Sequence, residues 1–179
     1  EETLLAGWLQ QPTACEAVFC LPGTHSKWIV AREGQVNHLT TFMTGELFEL
    51  MRTRSILAPL IDSQAVADSK SDIFSKGLTL AQSPAGLLHQ MFAIRAGALT
   101  GQFAKSDVLT LLSGVLVGAE CLAVKSLVQN RSVTLMSSGD LKQTYHNAFE
   151  HFGFVFNVAD SEQAAHKGLF SIFNQIQQG

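Results

Sequence analysis

The sequence predicts an α/β protein, a mixed sheet covered by helices. Three observations lead there. Apolar segments of strand length come first, three in close succession; two later strand segments are each followed by a helical pattern; and one long stretch repeats its apolar residues at helical spacing. The chain has 179 residues, 46% of them hydrophobic. That is enough for one substantial core, or one domain with a small appendage.

Taken in order, residues 1–10 have helical character, with Leu4, Leu5 and Trp8 on one face. Ala17 to Leu21 is a continuous apolar run of the length of a strand buried on both faces. Lys27 to Ala31 and Val36 to Phe42 read as two more strands, parted by the turn signal Arg32-Glu33-Gly34-Gln35. Thr44 is placed as the cap of a helix, with Glu46 just inside and Leu47, Leu50 and Met51 continuing the period. Residues 58–83 are polar and uneven, which predicts one helix between two loops and a mobile insert. From Pro84 a helix is expected to turn Leu87, Leu88, Met91 and Phe92 inward and to end near Gly97.

The longest helix follows, with Val108, Leu111, Leu112, Val115, Leu116, Ala119, Leu122 and Ala123 at steps of three and four. Gly114 and Gly118 give it a small-residue face suited to close approach to the sheet. Ser132 to Met136 is a fourth strand. "SSGD" then introduces a helix that buries Leu141, Tyr145, Ala148 and Phe152 and stops at Gly153. Phe154 to Val158 is the fifth strand. Asp160 and Gln163 resemble a capping box for a last helix carrying Leu169, Ile172, Phe173 and Ile176.

Charge and spacing exclude several functions. Twelve basic against fifteen acidic residues give a net charge of -3, and no basic run suggests a nucleic-acid groove. The apolar run Val108 to Ala119 is interrupted by Ser113, closed by Glu120 and shorter than the roughly 20 residues of a membrane helix, so no membrane is expected. Three cysteines without a C-x-x-C pattern indicate neither a disulfide framework nor a zinc site and suit a reducing cytoplasm. The histidines show no metal spacing. Neither a Walker loop nor G-x-G-x-x-G is present.

The first strand breaks at Pro22-Gly23-Thr24-His25-Ser26-Lys27 and resumes at Trp28. Such a turn gathers backbone N–H groups, the hydroxyls of Thr24 and Ser26, and the Lys27 ammonium. Together these suit a phosphate, and Gly23 permits close approach of an oxygen. Pro-Gly is also ordinary turn punctuation, so the residues alone leave both readings open.

The wider wording goes further. "LPGTHSKW", then "TFMTGELFELM", "LLSGVLVGAE" and "VTLMSSGDLKQTYHNAFEHFGF" in that order resemble the 2-dehydro-3-deoxygalactonokinase family over nearly all of the chain. The resemblance implies a ribonuclease-H-like lobe of the actin-like ATPase and sugar kinase fold, with helices on both faces of a five-stranded sheet. It implies ATP-dependent phosphorylation of 2-dehydro-3-deoxy-D-galactonate at the 6-hydroxyl in galactonate catabolism. ATP, Mg²⁺ and a 2-keto-3-deoxy sugar acid are the expected ligands, and a homodimer is left open.

On this resemblance Gly23 and Thr24 meet the ATP phosphates, and His25 and Lys27 match family positions beside them. Ser137, Ser138 and Gly139 stand where the fold places its adenosine turn, although the family pattern has Gly at the position of Ser138. A helix cap by Ser138 or Asp140 is the competing reading. Thr44, Gly45 and Glu46 are expected at the cleft near phosphate, metal or sugar acid, and Arg95 opposite a substrate carboxylate or phosphate. Glu1 and Glu2 begin the helix from which related sugar kinases present a catalytic carboxylate, and they are candidates for the base. Trp28 is read as core packing.

The family's first-lobe Asp-x-Gly-Ser/Thr turn does not occur here, and "EETLLAGWL" resembles the end of the family's first half. The expected organisation is a remnant of the inter-lobe helix over residues 1–12 and the C-terminal nucleotide-binding lobe over 13–179. The N-terminal lobe would then be absent, and this chain alone would not turn over. A noncatalytic nucleotide-binding or interaction module, and a kinase for another sugar acid, are the alternatives.

Overall fold

The computed structural model describes residues 16–62, 64–129 and 131–159. The helices predicted at 1–10 and from Asp160 onward lie outside the described residues. Three strands open the described chain: β1 (Ala17–Leu21), β2 (Ser26–Arg32) and β3 (Gln35–Phe42). Helices α1 (Thr44–Arg54), α2 (Asp72–Ala81), α3 (Gly86–Leu99), α4 (Val108–Ala123) and the short α5 (Lys125–Val128) follow. The chain then returns through β4 (Val133–Leu135), α6 (Gly139–Phe152) and β5 (Phe156–Val158).

The strands form one sheet in the order β3-β2-β1-β4-β5. Strand β2 runs antiparallel to both β1 and β3, whereas β1, β4 and β5 run parallel. This is the mixed sheet the sequence predicts, and its connectivity is that of a ribonuclease-H-like lobe.

Alternation of side chains explains why β1 and β2 are apolar throughout. Val18, Cys20, Trp28 and Val30 face one way and pack with Phe74, Val117, Tyr145 and Phe149 of α2, α4 and α6. Phe19, Leu21, Ile29 and Ala31 face the other way and are equally closed to solvent. Trp28 is fully buried, its ring centroid 5.6 Å from that of Phe149, which agrees with a packing role. At the sheet's edge β3 is mostly exposed.

Four expectations are corrected. The segment 58–83 is not a loose insert: Phe74 and Leu78 of α2 are fully buried, and Ser71 caps the helix by accepting the Phe74 N–H. Gly114 and Gly118 approach α2 rather than the sheet. A Cβ added at Gly114 would lie 2.5 Å from the Phe74 carbonyl oxygen and 2.9 Å from Gly77 Cα, so two helix backbones meet at a seam with no room for a side chain. On α3 the inner face carries Ile94 and Ala98 with Leu87 and Met91, leaving Leu88 and Phe92 exposed. Finally, together with the 3-10 turn before it, the long helix spans Lys105–Ala123, long and apolar enough to cross a membrane by length and composition. Its Leu111, Leu112, Val115 and Cys121 are completely enclosed by protein, which makes it the core helix of this fold.

The glycine seam generates a stability prediction. Gly114→Ala should cost about 1–3 kcal/mol by overpacking, read as a lower urea midpoint at unchanged slope. An unaltered midpoint would show that the two helices can separate freely.

Candidate active site

Because β1 and β4 are adjacent and parallel, the turns that leave them emerge at the same edge of the sheet. The first is Pro22–His25 and the second runs from Met136 to Gly139. Ligands of open α/β sheets collect in this position, outside the carboxyl ends of parallel strands. A larger cavity, about 670 Å³ and lined in part by Lys125, Arg131 and Phe154, sits at the opposite, amino-terminal ends of β4 and β5. There Arg131 is paired with Glu16 at 3.0 Å.

The first turn is held from behind by α1. The Glu46 N–H donates to the Thr24 carbonyl at 2.9 Å. A Cβ at Gly45 would stand 2.5 Å from the Gly23 oxygen and 2.8 Å from Thr24 Cα. Backbone therefore lies on backbone, and only glycine fits at 45. Glu46 also pairs with His25, Oε2 to Nε2 at 2.6 Å. Thr44 is not the helix cap: Met43 occupies that position without a side-chain bond, and the Thr24 carbonyl satisfies the orphan donor instead.

Behind the turn lies a group the sequence reading passed over. Glu120, on α4, is 2% exposed. Its Oε1 accepts Ser26 Oγ at 2.5 Å and Trp28 Nε1 at 2.8 Å, and its Oε2 accepts Tyr145 OH at 2.8 Å and the hydroxyl of Thr44. Desolvating a carboxylate costs several kcal/mol unless its lone pairs are filled; four neutral donors from β2, α1 and α6 fill them. Burial, reinforced by the charge of Glu120, pushes the Tyr145 phenol and the Cys20 and Cys121 thiols well above their ordinary values. Ser26 is fully buried in this network. Its hydroxyl is thus not available to a phosphate, a correction to the sequence reading. The available signal was a lone carboxylate on the inward side of an apolar helix, one turn beyond Leu116 and Val117.

The cleft in front measures about 230 Å³. Gly23, Thr44 and Gly45 line it beside Arg52, Asp140 and Tyr145. Thr24 and His25, which follow Gly23 in the turn, are exposed and not among the lining residues, and Lys27 is half-buried on β2 with Nζ 3.4 Å from the His25 carbonyl. Ser137 is half-buried while Ser138 and Gly139 are exposed where α6 begins. Ser138 holds the cap position without a side-chain bond, so the capping role offered for it is not made. Gly139 has φ +58° with open space where a Cβ would stand, so its backbone conformation, not crowding, calls for glycine.

Glu46 and Arg95 are not among the lining residues; Arg95 is half-buried on α3. Glu1 and Glu2 lie outside the described residues. Sequence reasoning missed Arg52 and Phe48, which are a helical turn apart and only become neighbours of Gly23 once α1 docks on the turn. Among the described residues no group of three His, Cys, Asp or Glu could hold a metal ion. Asp140 is the carboxylate on the cleft wall.

Tyr145 is the chain's sole tyrosine, so its ionisation can be read directly. Its raised value means that folding is favoured below the unfolded phenol value of about 10 and loses that contribution as pH rises beyond it. Tyrosinate absorbance at alkaline pH should therefore appear only together with loss of near-ultraviolet circular dichroism. Ionisation near pH 10 in the folded protein would contradict the buried pairing with Glu120.

Comparison with known proteins gives the chain a family. The sequence profile of the 2-keto-3-deoxy-galactonokinase family matches residues 1–172. A curated 2-dehydro-3-deoxygalactonokinase of Escherichia coli (strain K12) is 30% identical over 98% of this chain and 59% of its own length. A Rhizobium meliloti (strain 1021) protein provisionally named 2-dehydro-3-deoxygalactonokinase DgoK1 is 34% identical over 94% of this chain and 56% of its own. A crystal structure from Sinorhizobium meliloti, provisionally described by the same activity, superposes with a TM-score of 0.88 at 31% identity, covering 98% of this chain and 57% of that one. The chain thus spans a little over half the length of the relatives it matches. Matched by the family profile over nearly its whole length, the chain belongs to the 2-keto-3-deoxy-galactonokinase family.

Proposed function

We propose that this chain carries the nucleotide-binding lobe of an ATP-dependent kinase that phosphorylates the 6-hydroxyl of 2-dehydro-3-deoxy-D-galactonate in the cytoplasm, in galactonate breakdown. One observation supports it most directly. The Gly23-Thr24 turn is clamped, backbone to backbone, on the start of α1, and Gly23 lines a cleft whose other wall begins at Asp140.

The parts suit phosphoryl transfer, in which catalysis is mostly positioning and electrostatic stabilisation. The turn offers backbone N–H groups and the exposed Thr24 hydroxyl to an anion. The amino terminus of the 14-residue α6, uncapped by any side chain, adds a partial positive charge at the same cleft. Apolar wall residues Phe48, Val66, Leu109 and Leu116 give a purine its seat, and Arg52 takes the anion-facing role that the sequence offered to Arg95. Asp140, the carboxylate on the cleft wall, would face Mg²⁺ carried by the phosphates, and the ion would supply neutralising charge there. Glu1 or Glu2 receives the proton of the sugar hydroxyl.

The test is ADP release by the intact protein with ATP and 2-dehydro-3-deoxy-D-galactonate, compared with other 2-keto-3-deoxy acids. Phosphorylation selective for the galactonate derivative is expected. Tight ATP binding without turnover would instead identify a noncatalytic module, and equal rates on every acid would remove the assigned specificity. Thr24→Val should lower kcat by roughly 10²-fold, the usual effect of losing one preorganised donor, with thermal stability almost unchanged; wild-type kinetics would take Thr24 out of the phosphate site. Gly45→Ala drives its methyl against the Gly23 oxygen and displaces the turn, and kcat/KM should fall on the order of 10-fold to 100-fold.

A further inference from the structure

Each hydroxyl has one hydrogen to give, and in this site the direction of three of them is dictated from behind. Ser26, Thr44 and Tyr145 all donate to Glu120, and Trp28 adds an indole N–H that can only donate. Two donors on each oxygen occupy the lone-pair positions of the carboxylate. Ser26 and Trp28 are sealed in the core at 0% exposure, and Tyr145, although it lines the cleft, is only 2% exposed. Thr44 is different, being half-buried and part of the cleft wall beside Gly23 and Gly45. Its hydrogen is committed inward, so toward the cleft its oxygen can offer lone pairs only.

We infer that Glu120 is a positioning residue that sets the hydrogen-bonding polarity of the cleft. The ligand group seated on Thr44 is a donor, a nucleotide sugar hydroxyl or a metal-bound water, and not a phosphate oxygen. This rests on reading the cleft as the nucleotide site and divides its walls by chemistry. The Gly23-Thr24 turn and the start of α6 present donors to phosphate oxygens, whereas Thr44 presents an acceptor. The family resemblance put Thr44, Gly45 and Glu46 together at the cleft, near phosphate, metal or sugar acid; the network behind them separates their roles, Gly45 making room for the turn and Thr44 receiving a hydrogen.

Glu120→Gln reverses this polarity at almost constant volume. The indole N–H of Trp28 must still find an acceptor, so the amide oxygen stays on the Trp28 and Ser26 side. The amide NH₂ then faces Thr44 and Tyr145, whose oxygens accept from it, and the Thr44 hydrogen is released toward the cleft.

The experiment uses the intact protein and calorimetric titration with ATP, 2′-deoxy-ATP and 3′-deoxy-ATP, each with and without Mg²⁺, alongside thermal melts. Wild type should bind Mg-ATP, and Glu120→Gln should bind it about tenfold or more weakly. If the donor is a sugar hydroxyl, one deoxy analogue loses affinity for wild type but binds Glu120→Gln as well as ATP does. If it is a metal-bound water, the penalty of Glu120→Gln appears only with Mg²⁺. Folded Glu120→Gln with unchanged or tighter ATP binding would overturn the inference while leaving the nucleotide reading intact, since a phosphate oxygen welcomes the new donor. Failure of wild type to bind ATP would remove both.

Should Glu120→Gln not fold, Thr44→Val and Thr44→Ser decide the matter. Serine keeps the inward donation and should retain wild-type affinity, whereas valine should weaken binding. Equal binding by valine and wild type would overturn the inference.

Discussion

A carboxylate closed off from water is the constraint to which the rest of this lobe is fitted. Glu120 sits on the central helix of the fold at 2% exposure, and each of its oxygens must be supplied with hydrogens by protein. The donors come from different places in the chain: β2 gives Ser26 and Trp28, α1 gives Thr44, and α6 gives Tyr145. Displacing any one of those elements would leave a buried charge short of a partner, at greater cost than the loss of an ordinary contact. Two of these elements, α1 and α6, also line the cleft, together with α4 itself. Stability and site geometry are therefore two readings of the same set of bonds.

A second constraint is one of volume. The turn after β1 and the start of α1 meet without intervening side chains, the Thr24 carbonyl terminating the helix and Gly45 leaving space for Gly23. This explains why two short motifs, about twenty residues apart, belong together. A turn alone would be free to flex; pressed on a helix end, tied by the His25–Glu46 pair and backed by Ser26, it has one conformation to offer an anion. Preorganisation of that kind is what phosphoryl transfer needs from a protein.

Much of this could be read in the sequence because it is written in local patterns. The uninterrupted apolar run Ala17–Leu21 means a strand with two buried faces and is one. Glu33 and Gly34, both at positive φ, close the hairpin that the turn signal marks, and Gly153 ends α6 in the left-handed conformation. What could not be read depends on which distant element a residue meets. Gly114 is plainly a small residue on a helix, but whether it faces sheet or helix depends on where α2 folds back. Thr44 has the composition of a cap and is instead recruited by a carboxylate 76 residues away. Leu88 and Phe92 are as apolar as their neighbours, and only the tertiary competition for space near α4 leaves them outside. Glu120 shows the same limit: its type is evident, but its partners are assembled from three separate segments.

The glycine seam between α2 and α4 carries an effect beyond the helices themselves. The strand of chain that leads into α2 contributes Ala65, Val66 and Ala67 to the cleft, and it is pinned just beyond them, by the Asp68 N–H on Thr110 Oγ1 at 3.1 Å and by Asn147 Nδ2 on the Ser69 carbonyl at 2.7 Å. The width of the cleft is thus linked to how near two backbones can come, away from its lining residues. Bulk added along this line would reshape the cleft while every lining side chain stayed the same.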